Sequence, residues 1–454
     1  MSIESRNPAT GELLASYEAL DAAAVEARIA RAASAFRSWR QTAPAERARV
    51  LTRLAERLEA DPDGLGQLMT LEMGKLARAA RDEILKCARG CRYYAEHGPT
   101  LLAEEDVPTE AARSYIRYEP VGPVLAIMPW NFPFWQVFRF AVPALMAGNV
   151  ALLKHAPNVP QCALAIEALF RDAGFPEGVF QTLLIEVEQV PAILDDERIG
   201  AVTLTGSDRA GRDVASRAGR ALKKSVLELG GSDPFIVMPS ADLARAVETA
   251  VKSRTLNAGQ SCIAAKRFIV AEPVADEFLQ RFVKAMSVLT VGDPSDESAD
   301  IGPLARGDLL ATLSDQVRDA VARGARVLTG GAPVDRPGHY YPPTVLVDVP
   351  RDARAHHEEL FGPVATVIRV RDIGEAIARA NDTPYGLGAS VWTTDAAERD
   401  RFVEALEAGQ VFVNAMVASD PRVPFGGVKR SGYGRELGAY GLREFAQPKT
   451  VWVA

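Results

Sequence analysis

The chain has 454 residues, 48% hydrophobic and 24% charged, the balance of a soluble globular protein rather than a disordered chain or a coiled-coil rod. At roughly 150 residues per domain the length suggests about three domains. Fifty-two basic against fifty-nine acidic residues leave a net charge of −7 with no basic block, so neither nucleic acid nor an anionic membrane is an expected partner. No apolar run approaches the ~18 residues of a membrane span. The segment Met1 to Leu20 has no basic-then-apolar leader pattern, and four cysteines make no disulfide framework, so a reducing cytoplasm is the expected location.

The first hundred residues read as helical. Val25, Ile29, Phe36 and Trp39 share one helical face behind Asp21, a plausible N-cap. A second helix is predicted from Pro44, with Val50, Leu51, Leu54 and Leu58 on one side. From Val121 the pattern changes to short apolar runs alternating with helical stretches. Val121–Ile127, Val150–Lys154, Ala201–Leu204 and Ser225–Leu229 read as strands, which predicts an α/β fold with a parallel sheet covered on both faces. A second series (Phe235–Met238, Arg267–Val270, Val327–Thr329, Ala365–Val370, Ser390–Thr393 and Val411–Asn414) predicts a second α/β unit, with the boundary near Gly230–Pro234. Arg113–Tyr118 and Thr450–Val453 fit neither unit; as exposed edge strands they would invite pairing with another subunit.

Four places could carry chemistry. Cys87 and Cys91 share a helical face, and Cys162 lies early in an amphipathic helix; all three read as packed core thiols. Cys262 differs, because Asn257-Ala258-Gly259-Gln260-Ser261-Cys262 surrounds it with small residues that let backbone approach a ligand. A free thiol is only a few per cent ionised at neutral pH, so a nucleophile there needs help from its surroundings. Asn131, in Pro129-Trp130-Asn131-Phe132-Pro133, follows the carboxyl end of a predicted strand, where open α/β sheets bind ligands; it is either part of a rigid turn or a donor to an oxyanion. Glu228, bracketed by Leu227 and Leu229, is either a strand-end carboxylate facing water or a buried general base. Thr205–Arg212 joins a strand to a helix with Gly206 and Gly211, a ready anion site but neither a GxGxxG nor a Walker motif. His356-His357 are adjacent rather than four apart and read as solvated, so no metal is expected.

Taken together, Pro129–Pro133, Lys154-His155-Ala156, Thr205–Gly211, Glu228-Leu229-Gly230-Gly231, Gly259–Cys262, Glu359-Leu360-Phe361-Gly362-Pro363 and Pro424–Gly427 occur in the order seen in the aldehyde dehydrogenase superfamily. The chain resembles that superfamily along essentially its whole length, including Asn7–Gly11. The resemblance implies a Rossmann-like nucleotide-binding domain over residues 1–100 and 120–230, and an α/β catalytic domain over 231–430. It also implies a small β oligomerisation arm over 101–119 and 440–454, in a homodimer or homotetramer. By the same resemblance Cys262 attacks an aldehyde, the Asn131 amide and the Cys262 N–H hold the oxyanion, and Glu228 activates water. An NAD or NADP cofactor would meet Pro129, Trp130, Lys154, Ala156, Pro157, Gly206, Ser207, Gly211, Leu229, Glu359 and Phe361.

Two departures stand out. Pro157 occupies the place where NAD-preferring relatives carry a glutamate, so both cofactors are expected to be accepted; Leu183–Val190 lacks the glycines common there. On the substrate side, Arg139 lies amid Phe138, Phe140 and Val142. An unpaired arginine is costly to bury, so it either reaches the surface or forms a fork for a substrate carboxylate. Trp135, Arg139, Ser419 and Lys154–Asn158 resemble bacterial succinate-semialdehyde dehydrogenases of that superfamily, which implies a short aldehyde bearing a carboxylate. Glutarate semialdehyde, acyl transfer to coenzyme A and a catalytically silent homologue are the alternatives; Glu228 disfavours the second, and Cys262, Asn131 and Glu228 together disfavour the third.

Overall fold

A computed structural model describes residues 2–454. It opens on an antiparallel hairpin, Ser2–Arg6 with Leu13–Glu18, not on a helix. Only Ile3 and Ser5 of the first strand are buried, a period of two too short to stand out in the sequence, and Asn7–Gly11 makes the turn with Gly11 at φ +81°. Four helices follow. Asp21 caps the first, Ala22–Trp39, its carboxylate accepting from Ala24 N at 2.8 Å, and Pro44 opens the second, Pro44–Ala60. Pro62–Met73 and the long Ala77–Leu101 complete the layer.

The first sheet has six strands in the order Gly432–Tyr433, Lys224–Glu228, Ala201–Thr205, Pro123–Met128, Val150–His155, Phe180–Thr182. All are parallel except the first, which returns from far along the chain. Every residue of Val150–His155 is buried, as helices on both faces demand. The second sheet has seven strands, Arg326–Thr329, Thr344–Val347, Val364–Val370, Arg267–Ala271, Pro234–Val237, Gly388–Trp392 and Gln410–Val413, with only the first antiparallel. Thr344–Val347 and Phe180–Thr182, of four and three residues, have no counterpart in the sequence reading because runs so short carry no periodicity.

The two segments that fit neither unit pair with each other. Arg113–Pro120 and Ala446–Val453 run antiparallel over eight residues, with Glu105–Asp106 on the other side. This three-stranded arm is mostly exposed, Trp452 by 51%. No helix among the described residues is long and apolar enough to cross a membrane.

Candidate functional site

The carboxyl ends of the first sheet's strands deliver the predicted residues to one face. Pro123–Met128 ends at Pro129, half-buried, and Trp130, buried, before Asn131. This loop is fixed from below by the long helix. Lys75 and Glu83 form a buried ion pair, and Lys75 Nζ stands 3.9 Å from the centre of the Phe132 ring. Glu83 Oε1 accepts from the Phe134 and Trp135 N–H groups at 3.0 and 2.9 Å, placing a negative charge at the start of the Trp135–Met146 helix.

Cys262 lies on a strained loop. Asn257, Ala258 and Gly259 are consecutive left-handed residues at φ +54°, +54° and +75°. Such a conformation costs roughly 1–2 kcal/mol at Ala258, and it turns the chain sharply before Cys262. Gly259 is required twice over, since a Cβ there would lie 2.3 Å from the Gly362 carbonyl. The nucleophile loop and the Glu359–Pro363 loop are therefore in direct backbone contact. Asn131 Nδ2 donates to the Gln260 carbonyl at 3.1 Å, and Asn257 Nδ2 donates to the Asn131 carbonyl at 2.7 Å. One amide hydrogen of Asn131 is spent on that bond; the other has no acceptor among the described residues.

Lys266, overlooked in the sequence, ties this corner together. Its buried ammonium donates to the Ser261 and Cys262 carbonyls at 2.8 and 2.6 Å and pairs with Glu359 Oε1 at 3.1 Å. Glu359 Oε1 also accepts from Gly231 N at 3.1 Å. A Cβ on Gly231 would stand 2.6 Å from the Cys262 carbonyl, so the strand end carrying Glu228 and the nucleophile loop touch.

Glu228 is buried, and neither carboxylate oxygen has a hydrogen-bond partner among the described residues. Burial pushes its carboxyl well above the usual range; Arg139 opposes the shift and Glu436 adds to it. A Cβ on Gly426 would come within 2.7 Å of Glu228 Oε1, so glycine there makes room for the carboxylate. Burial pushes the Cys262 thiol up to about 12, with Arg139 and Lys266 pulling it back. Cys87, Cys91 and Cys162 are fully buried thiols raised by desolvation, away from any cavity described here.

Arg139 does not reach the surface. It is 2% exposed, ion-paired with the equally buried Glu436, 3.5 Å from Thr205 Oγ1, and 4.4 Å from the centre of the Phe425 ring. Its charge has an internal partner, which the sequence reading of an unpaired guanidinium did not foresee. Arg139, Trp135, Ser419, Phe425 and Cys262 all line one cavity of about 450 Å³.

The residues suit a nicotinamide dinucleotide. Ser207 caps the helix Asp208–Arg220, its hydroxyl accepting from Ala210 N at 3.3 Å. Gly206 leaves open space, a Cβ meeting only Leu204 at 3.5 Å, so the helix N-terminus is free to receive a pyrophosphate. Gly211 and Leu229 pack against each other: a Cβ on Gly211 would collide with both Leu229 methyls at 2.7 Å. Lys154 is buried with its ammonium bonded only to the His155 carbonyl at 3.1 Å; burial lowers its pKa, while Glu186 and Glu188 raise it. Ala156 is half-buried, Pro157 exposed beside it, and the Trp130 and Phe361 rings meet edge to face at 5.8 Å. His356 faces Asp382 at 3.7 Å, and no group of three His, Cys, Asp or Glu among the described residues could hold a metal ion.

The sequence profile of the aldehyde dehydrogenase family matches residues 1–451. The chain belongs to the aldehyde dehydrogenase family. Aldehyde dehydrogenases are oxidoreductases that use a nicotinamide dinucleotide as hydride acceptor. This aldehyde dehydrogenase is 54% identical, over the full length of both chains, to succinate-semialdehyde dehydrogenase (NADP(+)) 1 of Mycobacterium tuberculosis. It is equally similar to a protein of Synechocystis sp. named probable succinate-semialdehyde dehydrogenase (NADP(+)). Among solved structures it is similar to succinic semialdehyde dehydrogenase from Streptococcus pyogenes in complex with NADP+, with a TM-score of 0.97, 34% identity and 99% of each chain covered. The two main sheets and the antiparallel arm are thus the aldehyde dehydrogenase fold.

Proposed function

We propose that this aldehyde dehydrogenase oxidises succinate semialdehyde to succinate with NADP+ or NAD+. The observation that carries the reading is a cavity that the Cys262 thiol shares with a wall of hydrogen-bond donors, Lys86, Trp135 and Ser419, while the Asn131 amide and the strand end carrying the buried Glu228 both touch the Cys262 loop. Cys262 Sγ, its proton given up to solvent, adds as the thiolate to the aldehyde carbon. The Asn131 amide and the Cys262 N–H hold the oxygen that becomes negative. A bound nicotinamide dinucleotide would supply the acceptor for the hydride on the carbon joined to Cys262. What remains on the sulfur is a thioester. Glu228 takes a proton from water as the water adds to the thioester, and the collapse returns the thiol and releases the acid. Dividing the oxidation in this way replaces one difficult step with two easier ones.

Ser207 and Gly206 would hold the pyrophosphate, Lys154 the adenosine ribose, and Glu359 with Phe361 the nicotinamide ribose. Lys154 favours a 2′-phosphate, whereas Glu186 and Glu188 favour a free 2′-hydroxyl, so both cofactors are used. Four free thiols suit a reducing cytoplasm. The exposed arm suits assembly into a homodimer or homotetramer, which sedimentation of the full chain measures. The substrate reading is tested with a panel of semialdehydes and uncharged aldehydes of matched length, with each cofactor. The highest kcat/KM is expected for succinate semialdehyde; equal values for butanal would overturn it.

A further inference from the structure

We propose that Lys86 is the charge partner of the substrate's far carboxylate, acting with Ser419 and Trp135, and so is a determinant of specificity; the assignment rests on the substrate reading above. Lys86 projects from the helix Ala77–Leu101 into the cavity that also holds Cys262. Its ammonium donates to Ser419 Oγ at 2.7 Å and lies 4.3 Å from the centre of the Trp135 ring. Trp135 Nε1 donates to the same Ser419 oxygen at 2.9 Å.

Two donors occupy the lone pairs of the Ser419 hydroxyl. Its hydrogen has no acceptor among the described residues and can only be given away. Lys86 has further N–H bonds to give. The corner therefore offers the Ser419 hydroxyl and the remaining Lys86 N–H bonds as donors, which suits a carboxylate.

Charge points the same way. Arg139 in this cavity already has Glu436, whereas Lys86 has no ion-pair partner among the described residues. The groups bearing on it are Arg139 and Arg89, which repel its charge, the Cys87 thiol, Glu83, which is committed to Lys75, and Asp420, which is paired with Arg422; Asp82 stands exposed at the rim. Desolvation with Arg139 beside it lowers the Lys86 ammonium to about 8, as befits a cation whose counter-charge arrives with the substrate.

The test uses the full-length enzyme with saturating NADP+ and compares succinate semialdehyde with butanal. A hydrogen bond to a charged group contributes about 1.5–3 kcal/mol, so Lys86→Met is expected to lower the ratio of kcat/KM values, charged over uncharged, by about 10- to 100-fold. Most of the loss is expected in the KM for succinate semialdehyde. Lys86→Arg is expected to restore much of the ratio, which a purely structural role would not require. If wild type prefers succinate semialdehyde and Lys86→Met preserves that preference, or slows both aldehydes alike, the Lys86 assignment is overturned while the substrate reading survives. If wild type shows no preference, the substrate reading itself falls.

Discussion

Near Cys262 the buried cations have internal counterparts. Arg139 is paired with Glu436 and Lys266 with Glu359, and Glu228 lies within the field of Arg139 and Glu436. At the far end Lys86 has Ser419 and the Trp135 ring but, among the described residues, no carboxylate in ion-pair contact. The chemistry is built to be complete without ligand, so that its proton positions are set before substrate arrives. The recognition end is built incomplete, so that the right substrate supplies the missing charge. Changes at the reacting end should therefore slow all aldehydes alike and alter pH profiles, whereas changes at the far end should alter which aldehyde is chosen.

The largest effect is expected from Cys262→Ser, which should lower kcat/KM for every aldehyde by roughly 10⁴-fold or more, with an unchanged circular dichroism spectrum. Asn131→Ala should follow, with a loss in kcat of about 10²–10³-fold and little change in KM. Steady-state kinetics with a charged and an uncharged aldehyde measures both; a loss confined to the charged one would break the division of labour between the two ends.

The pH profile sharpens it further. Glu228 must be ionised to take a proton from water, and its carboxyl is held high mainly by burial, so hydrolysis should rise with pH through that raised value. Glu436 raises it and Arg139 lowers it. Glu436→Gln should therefore move the rising limb to lower pH, and Arg139→Met should move it to higher pH, for charged and uncharged aldehydes alike. Limbs that do not move would separate Glu228 from the water step.

The smallest effects belong to the cofactor. Glu186→Gln removes a carboxylate that bears on Lys154 and should raise the NADP+/NAD+ ratio of kcat/KM a few-fold. Pro157→Glu should depress use of NADP+ far more than NAD+. Equal effects on the two cofactors would remove Lys154 from the 2′ position.

What the sequence made legible follows from range. The buried strands appear as apolar runs, and the site motifs are contiguous, so Asn131, Glu228 and Cys262 stand out from local pattern and resemblance alone. What it concealed depends on pairs far apart in the chain. Lys86 meets Ser419 across 333 positions, and no local rule separates it from an ordinary solvated lysine on a helix. Arg139 looked unpaired because Glu436 comes from a segment that rejoins the first sheet only at the end of the chain. Lys266 beside Arg267 reads as the start of a strand, and only its contacts with two carbonyls and Glu359 give it a role. The left-handed Ala258 runs against residue preference, as backbone strain near a reactive group often does.

The central claim is that acid is made in two stages on Cys262, with Glu228 needed for the second. Rapid mixing of Glu228→Gln with succinate semialdehyde and NADP+ measures it directly. The account predicts a burst of reduced cofactor approaching one equivalent per subunit, then almost no turnover, with mass spectrometry finding a succinyl group on the peptide containing Cys262. Steady turnover without a burst, or an unmodified Cys262 after a full burst, would contradict it.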